Sequence, residues 1–459
     1  MPEASRDMMT GGSLPLSPAQ LGVYFAHLRD ETCCRYNIAQ VTTIVGPFDV
    51  SLFRRAAADV IAATPALNMA IVASQDGPRQ VYIERSATEI PLYDLREEPD
   101  PQAARAALID RLTLAPFDLA ADPQFRWVLI RTHDDEIHWV QVYHHVIADG
   151  WAGQLLTGLV GACYGALAND KADPKSSAEA FEAFVAHQRV ELAYQGSQAA
   201  SKDGTYWRDL LQGVELVAPE HGKASGYGGP FVRHSLVIEG ERLAAIERLA
   251  KAHGVSAGQV LTASIALMEA AWSRCGDVVL GIPVLGRIGT QARSVVSMSS
   301  NVVHVRLRDI WSHSPGSLLR EIRRQQLAAL RHQRYRYEDL RRDLLGTGSD
   351  AAFARVQVNQ MPFDYGIGFG DCTSETENLS NGPVEWMSLA IYPQPDGRIK
   401  IDLNGACGSF DPSSLVHAAG QILHVLDELA SLPSDMCLSS LRLAGSSDVA
   451  LIGAFNGTA

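Results

Sequence analysis

The sequence has 459 residues, 46% of them hydrophobic and 20% charged, a soluble globular composition on a chain too long for one ordinary core. Its 52 acidic residues outnumber 39 basic ones for a net charge of −13, which argues against nucleic acid as the main partner because phosphate binding needs a positive field. No run approaches the ~20 apolar residues of a membrane span, and the opening MPEASRDMMTGGS lacks a signal-peptide core, so a cytoplasmic protein with no membrane contact is expected.

LSPAQLGVYFAHLRD predicts the first helix, with Ser17 as cap, Pro18 in the first turn and Gln20 closing a capping box. SLFRRAAADVIAAT predicts a second helix, and LNMAIVAS and RQVYIE follow as strands. FRWVLIRT and IHWVQVYHH read as two strands joined by the polar turn HDDE. Beyond Gly150, Leu155, Leu156, Leu159, Val160, Cys163, Tyr164 and Leu167 recur at helical spacing, predicting a helix over 151–168. ANDKADPKSSAE then breaks the pattern and marks a candidate boundary, dividing the chain into lobes at 1–176 and 177–445.

The second half alternates in the same style. VRHSLVI, VVLGIPVLGR, NVVHVRLR, FARVQVNQMPFDY and GRIKIDLNGAC predict strands. GERLAAIERLAKAHG, SAGQVLTASIALMEAAWSRCG, the basic SLLREIRRQQLAALRHQRY and SSLVHAAGQILHVLDELAS predict helices. The expected fold class is therefore α/β, two lobes of mixed sheet with helices packed on them. Residues 446–459, SSDVALIGAFNGTA, read as a linker. The seven cysteines form no CxxC pair, so reduced thiols are expected, with neither a zinc site nor a disulfide framework.

The chemistry concentrates in VYHHVIADGW, residues 142–151. Strand alternation puts Trp139, Gln141, Tyr143 and His145 on one face and His138, Val140, Val142 and His144 on the other, so the two adjacent histidines cannot share a task. A neutral imidazole can take a proton from an attacking amine or hydroxyl near neutral pH. Asp149 can orient that ring or pair with an arginine to hold the loop, and Gly150 allows close backbone approach. Trp139 and Tyr143 are expected to fill core, and His332 to be structural. No G-x-S-x-G elbow is present and no cysteine lies near the histidines, so a covalent nucleophile is not expected.

HHVIADG has the form of the HHxxxDG motif of nonribosomal peptide synthetase condensation domains, which the chain resembles over nearly its whole length. LSPAQLGVYFA resembles the family's opening motif, and SMSSNVVHVRLR and RHQRYRYEDL resemble later ones in the right order. FARVQVNQMPFDY and GPVEWMSLAIYPQPDG look most like siderophore synthetases of the enterobactin type, and FNGTA resembles the linker before an adenylation domain. The resemblance implies two chloramphenicol-acetyltransferase-like lobes in a V around a tunnel, where donor and acceptor carrier proteins present phosphopantetheine arms. It implies a monomer with no cofactor or metal of its own, cut from a larger synthetase.

Carried over by residue, His145 is the active-site histidine, His144 its structural neighbour and Gly150 a backbone contact near the reacting atoms. Asp149 is expected to pair with Arg287 of the second lobe. Asn359 and Tyr365 fall on a strand that crosses between lobes in the family, where tunnel lining and packing are both open. Arg331 and Arg334, on the basic stretch, are candidates for carrier docking, against the alternative of a solvated helix face. One departure is clear: TPALNMAI has Asn68 where the family usually shows an arginine. Epimerization relatives need an EGHGRE-like glutamate motif, which is absent, and heterocyclization relatives replace both histidines by aspartates, so peptide condensation is the subclass implied. The competing readings are a coenzyme A-dependent acyltransferase of the same superfamily and a silent carrier-docking module.

Overall fold

A computed structural model describes residues 12–30, 34–83, 89–121, 123–169, 177–217, 231–346, 349, 351–361 and 366–445. The expected linker at 446–459 and Tyr365 lie outside the described residues. Contacts divide the chain into two units: Met1–Ala200 with Leu285–Ser300 and Phe363–Pro383, and Ser201–Val284 with Asn301–Pro362 and Val384–Ala459.

The first unit runs β1 (Ser13–Pro15), α1 (Pro18–His27), β2 (Asn37–Val45), α2 (Val50–Ala63), β3 (Met69–Val72), β4 (Arg79–Tyr82), β5 (Leu92–Asp94), α3 (Pro101–Leu114), β6 (Phe125–His133), β7 (Glu136–His144), α4 (Gly150–Ala168) and α5 (Ser177–Gln195). The capping box predicted at Ser17 and Gln20 is formed. The main sheet has the order β12-β2-β7-β6-β5, its edge strand β12 (Thr373–Asn381) arriving from far along the sequence; β1, β4 and β3 form a small second sheet. All pairs are antiparallel except β5 with β6.

Strand β7 is buried on both faces because helices cover each of them. Trp139 meets Phe53 of α2 edge-on at 5.0 Å, Trp127 of β6 at 5.1 Å and Phe369 at 6.2 Å, the centre of the apolar core. Asn68 is also buried, and its amide donates to the carbonyls of Ile61 (2.6 Å) and Thr64 (3.0 Å), tying the end of α2 to the start of β3. The departure from the family pattern is thus an internally bonded tie.

The other face of β7 carries His138. Its Nδ1 lies 3.0 Å from Thr43 Oγ1 and 3.2 Å from an Arg105 Nη1, and its Nε2 lies 2.9 Å from Thr132 Oγ1 and 3.0 Å from Glu136 Oε1. Burial, then the Arg105 charge, depress its pKa to about 4 against the partial opposition of Glu136. The folded ring stays neutral where the unfolded one, near 6.5, takes up a proton. Stability is therefore complete above pH 6.5 and falls as the pH drops from there toward 4, by on the order of 3 kcal/mol at this site. We predict that His138→Gln removes one proton from the pH dependence of unfolding between those limits, read from denaturant midpoints. Equal slopes for the two proteins would refute this.

The second unit takes most of α6 (Gln198–Leu211), then β8 (Phe231–Ile238), α7 (Gly240–His253), α8 (Ala257–Ser273), β9 (Val278–Val284), β10 (Asn301–Leu307), α10 (Pro315–Arg331), α11 (Tyr337–Leu345), β11 (Val356–Gln360), β13 (Met387–Pro393), β14 (Ile399–Ala406) and α12 (Pro412–Ser431); the short helix α9 (Thr290–Arg293) belongs to the first. Its sheet has the order β10-β9-β11-β13-β14-β8. β11 pairs in parallel with β9 and β13, and the other pairs are antiparallel. Val303, Val305, Val356, Val358, Leu389, Ile401 and Leu403 point into a core shared with α8, α10 and α12. His332 stacks on Tyr206 at 4.0 Å and its Nδ1 lies 2.7 Å from Asp203 Oδ1, joining α6 to the end of α10.

The contact division does not fall at residue 176. Phe181, Phe184 and Val185 of α5 are buried in the first core, so the first unit continues beyond that position to Ala200. Among the described residues, no helix is long and apolar enough to cross a membrane.

Candidate active site

Strand β7 ends at His144, so the side-chain alternation stops one residue before His145. His144 is 1% exposed. Its Nδ1 accepts the Val146 N–H at 3.2 Å, and its ring stands edge-on to His27 at 4.8 Å. Burial, then the charges of His27, His145 and Arg126, hold its pKa well below the ordinary value. This is a neutral packing histidine.

His145 is half-buried. Its backbone N–H donates to Tyr36 O (2.8 Å), and its Nδ1 lies 2.9 Å from Ala148 O. A carbonyl oxygen can only accept, so in the neutral ring Nδ1 carries the hydrogen and Nε2 keeps its lone pair. The tautomer is set by the loop's own backbone. Val146, Ile147 and Ala148 are fully packed and fix that loop.

Asp149 caps α4, accepting the Ala152 N–H on Oδ1 (3.0 Å). Oδ2 accepts Arg287 Nη1 at 2.6 Å and the backbone N–H groups of Ser299 (3.0 Å) and Ser300 (2.9 Å). Burial alone would raise this carboxyl's pKa, but the Arg287 charge and these hydrogen bonds outweigh it and bring it below the ordinary value. The other arm of Arg287 donates from Nη2 to Ser297 O at 2.7 Å. Ser297 Oγ continues to Ser299 Oγ (2.8 Å), and that to His187 Nε2 of α5 (3.0 Å).

Gly286 lets the Leu285–Ser300 segment fold this way. Its φ is +64°, and a Cβ there would lie 2.1 Å from Ser299 O. The family resemblance implies an arginine from the second lobe; the structure puts Arg287 in the first unit, because the returning segment packs there and delivers the guanidinium to Asp149.

A buried polar network braces the same loop. The Gln40 amide donates to Thr157 Oγ1 (2.8 Å), Gln141 Oε1 (3.2 Å) and Gly153 O (3.3 Å), Tyr143 O–H donates to Gln141 Oε1 (2.7 Å), and Thr42 bonds Thr376 (2.9 Å). These contacts link β12, β2, β7 and α4, the elements that surround His145.

His144, His145, Asp149, Gly150 and Arg287 thus come together in one unit. Gly150 opens α4 without left-handed backbone. Asn359 is half-buried on β11, a strand that stays in the second sheet; the strand that joins the first sheet is β12. Arg331 ends α10 and Arg334 follows it, both in the second unit. Sequence reasoning missed Ser299, Ser300, His187 and Gln40. The first two act through backbone N–H groups, which carry no residue signal.

The family model for the condensation domain matches residues 11–448. The chain belongs to the condensation-domain family. It is 30% identical over 429 residues to the dimodular nonribosomal peptide synthase of Bacillus subtilis (strain 168), spanning 93% of this chain and 18% of that protein. It is 31% identical over 432 residues to the isonitrile lipopeptide synthase of Streptomyces coeruleorubidus, spanning 93% and 29%. Enterobactin synthase component F of Escherichia coli (strain K12) is 25% identical over 435 residues, with 92% and 33% spanned.

The chain thus spans less than a third of the length of the first two relatives. Among solved structures, a variant of the starter condensation domain of rhizomide synthetase in complex with C8-CoA superposes with a TM-score of 0.84 at 27% identity, covering 96% of this chain and 99% of that one. The first condensation domain of the CDA synthetase shares the fold, with a TM-score of 0.80 at 23% identity over 95% and 99%. Condensation domains of nonribosomal peptide synthetases are acyltransferases that form amide bonds between substrates on carrier phosphopantetheine arms, without a cofactor of their own.

Proposed function

We propose that this condensation domain joins a carrier-borne acyl thioester to the amine of a carrier-borne aminoacyl acceptor, with Nε2 of His145 receiving or holding the amine proton. The observation that carries this is the Nδ1 contact to Ala148 O, which puts the ring hydrogen on Nδ1 and makes Nε2 the basic nitrogen of the neutral imidazole. The acceptor nitrogen attacks the thioester carbonyl, the C–N bond forms, the C–S bond breaks and the donor thiol leaves with the proton. Asp149 is committed to Arg287 and to backbone donors, so it holds the loop rather than relaying charge. Alignment of the two tethered substrates supplies the larger share of the rate, on the order of 7–11 kcal/mol.

For the donor, the siderophore-type motifs and the likeness to an enterobactin synthase component support an aryl acyl group. A fatty acyl donor is the second reading, supported by the likeness to a lipopeptide synthase and to a starter domain solved with C8-CoA. The domain is expected to work as a monomer in the cytoplasm, beside an adenylation domain, with no nucleic-acid or membrane partner.

Arg331 and Arg334 remain the candidates for carrier docking. They close a face of α10 on which Arg320, Arg323, Arg324, Leu327 and Leu330 are exposed, while Leu318, Leu319, Ile322 and Ala329 are buried. Cations bracketing two leucines suit an acidic amphipathic helix.

The test is intact-mass analysis of an aminoacyl acceptor carrier mixed with this domain and donor carriers bearing aryl or C8 acyl groups, with acyl coenzyme A and free amines in parallel. The acceptor carrier is expected to gain the acyl mass. Turnover with coenzyme A alone would overturn carrier dependence. Reversing Arg331 and Arg334 to Glu is expected to lower carrier-fed kcat/KM by roughly 10-fold and to leave small soluble thioesters unaffected; equal loss with both substrates would exclude docking.

A further inference from the structure

Beyond its pairing with β2, strand β12 runs on into Gly382, and there the backbone closes on His145. Gly382 has φ +93°, and its N–H donates to Ser380 Oγ at 3.2 Å. The Ser380 hydroxyl in turn donates to Asn37 O at 2.8 Å, on the residue of β2 that faces His144. The register with β2 shifts by one residue between Asn378 and Ser380, just before this glycine.

A Cβ at Gly382 would stand 2.9 Å from His145 Cδ2, 3.5 Å from Nε2 and 3.6 Å from Ile38 Cγ2. The ring cannot swing away freely, because its Nδ1 is held by Ala148 O. The imidazole is therefore gripped from two directions: a hydrogen bond on the Nδ1 side and bare backbone against the Cδ2–Nε2 edge, where the lone pair lies.

We propose that Gly382 is a positioning residue for amide formation, bracing the Cδ2–Nε2 edge of His145 with backbone where a side chain would displace the ring. Even one methyl group there must push the ring off its carbonyl or push β12 off the ring. Either shift moves Nε2 relative to substrates held by their carriers, where displacements near 1 Å cost catalysis heavily. The inference rests on His145 as the group that meets the amine.

The experiment is a double-variant cycle with carrier-borne substrates. Gly382→Ala is expected to lower kcat by roughly 10- to 100-fold, with KM for either carrier changed less than about 2-fold. In a His145→Ala background the same substitution should change the residual rate by less than about 2-fold, because the group it displaces is gone. Equal losses in both backgrounds would overturn the proposal and leave Gly382 a purely structural residue.

A positive φ disfavours alanine in its own right, so Ser380→Ala is the companion variant. It frees the Gly382 N–H without adding bulk. It should show a smaller kcat loss, again confined to the His145 background, and a loss that persists without His145 would count against the proposal. A fully active His145→Ala protein would overturn the reading of His145 itself, an outcome distinct from equal losses.

Discussion

His145→Ala is expected to slow amide formation by roughly 100- to 10,000-fold, the range a positioned general base contributes, and to leave binding of both carriers unchanged. The backbone that shapes the site does not depend on the ring. Val146, Ile147 and Ala148 are packed, and Asp149 anchors the loop independently. The substitution removes the Nδ1 contact to Ala148 O and the basic Nε2. Single-turnover mass analysis of the acceptor carrier, with carrier affinity titrated separately, checks both parts. A loss far beyond 10,000-fold with affinity intact would contradict a rate dominated by alignment. His144→Ala should behave differently, lowering stability more than turnover, because that ring is core against His27 and Phe117.

Arg287→Ala is expected to destabilise the first unit by about 3–5 kcal/mol, the cost of leaving one partner of a buried ion pair unmatched. Asp149 is 1% exposed and Arg287 2%, so water cannot take the missing partner's place. The change should show as a lower denaturant midpoint together with a lower kcat, since the carboxylate sets where α4 begins. Replacing both residues by apolar ones of similar volume should recover much of the stability and none of the lost turnover. A single variant as stable as the parent would refute the account. The pH dependence has a definite sign. The folded carboxyl lies below its ordinary 3.8, so this contribution is present above that value and is lost as the pH falls below it, through the folded pKa.

Much of the fold was readable because apolar period and capping chemistry agreed. The Ser17–Gln20 box, the two strands β6 and β7 and the helix after Gly150 are all present. Strand β12 escaped because its inward residues are Thr376, Asn378 and Ser380 and its outward ones include Glu375 and Glu377, so its alternation is polar on both faces. β2 and α3 were not singled out, although Asn37 of β2 clamps the end of α3 by donating to Thr113 O (2.7 Å) and Ala115 O (2.8 Å).

At the site, HHVIADG could be read from chemistry and spacing. Spacing alone allows Asp149 either to orient the histidine or to pair with an arginine, and its neighbours decide for the arginine. The donors from Ser299 and Ser300 and the approach of Gly382 could not be read. They depend on segments 150 and more than 200 residues away that return to one unit only in three dimensions.

That return has a consequence for how the protein is made. Synthesis proceeds from the N-terminus at about 5–20 residues per second. Asp149 therefore precedes its guanidinium by 138 residues, or roughly 7 to 28 s, and the edge strand beside β2 arrives later still. Through that interval the loop bearing both histidines has its carboxylate without the cation that matches it. The reactive centre is among the last parts of its unit to be completed, and a nascent chain released before residue 287 would carry the whole HHVIADG sequence without the arrangement that makes it work.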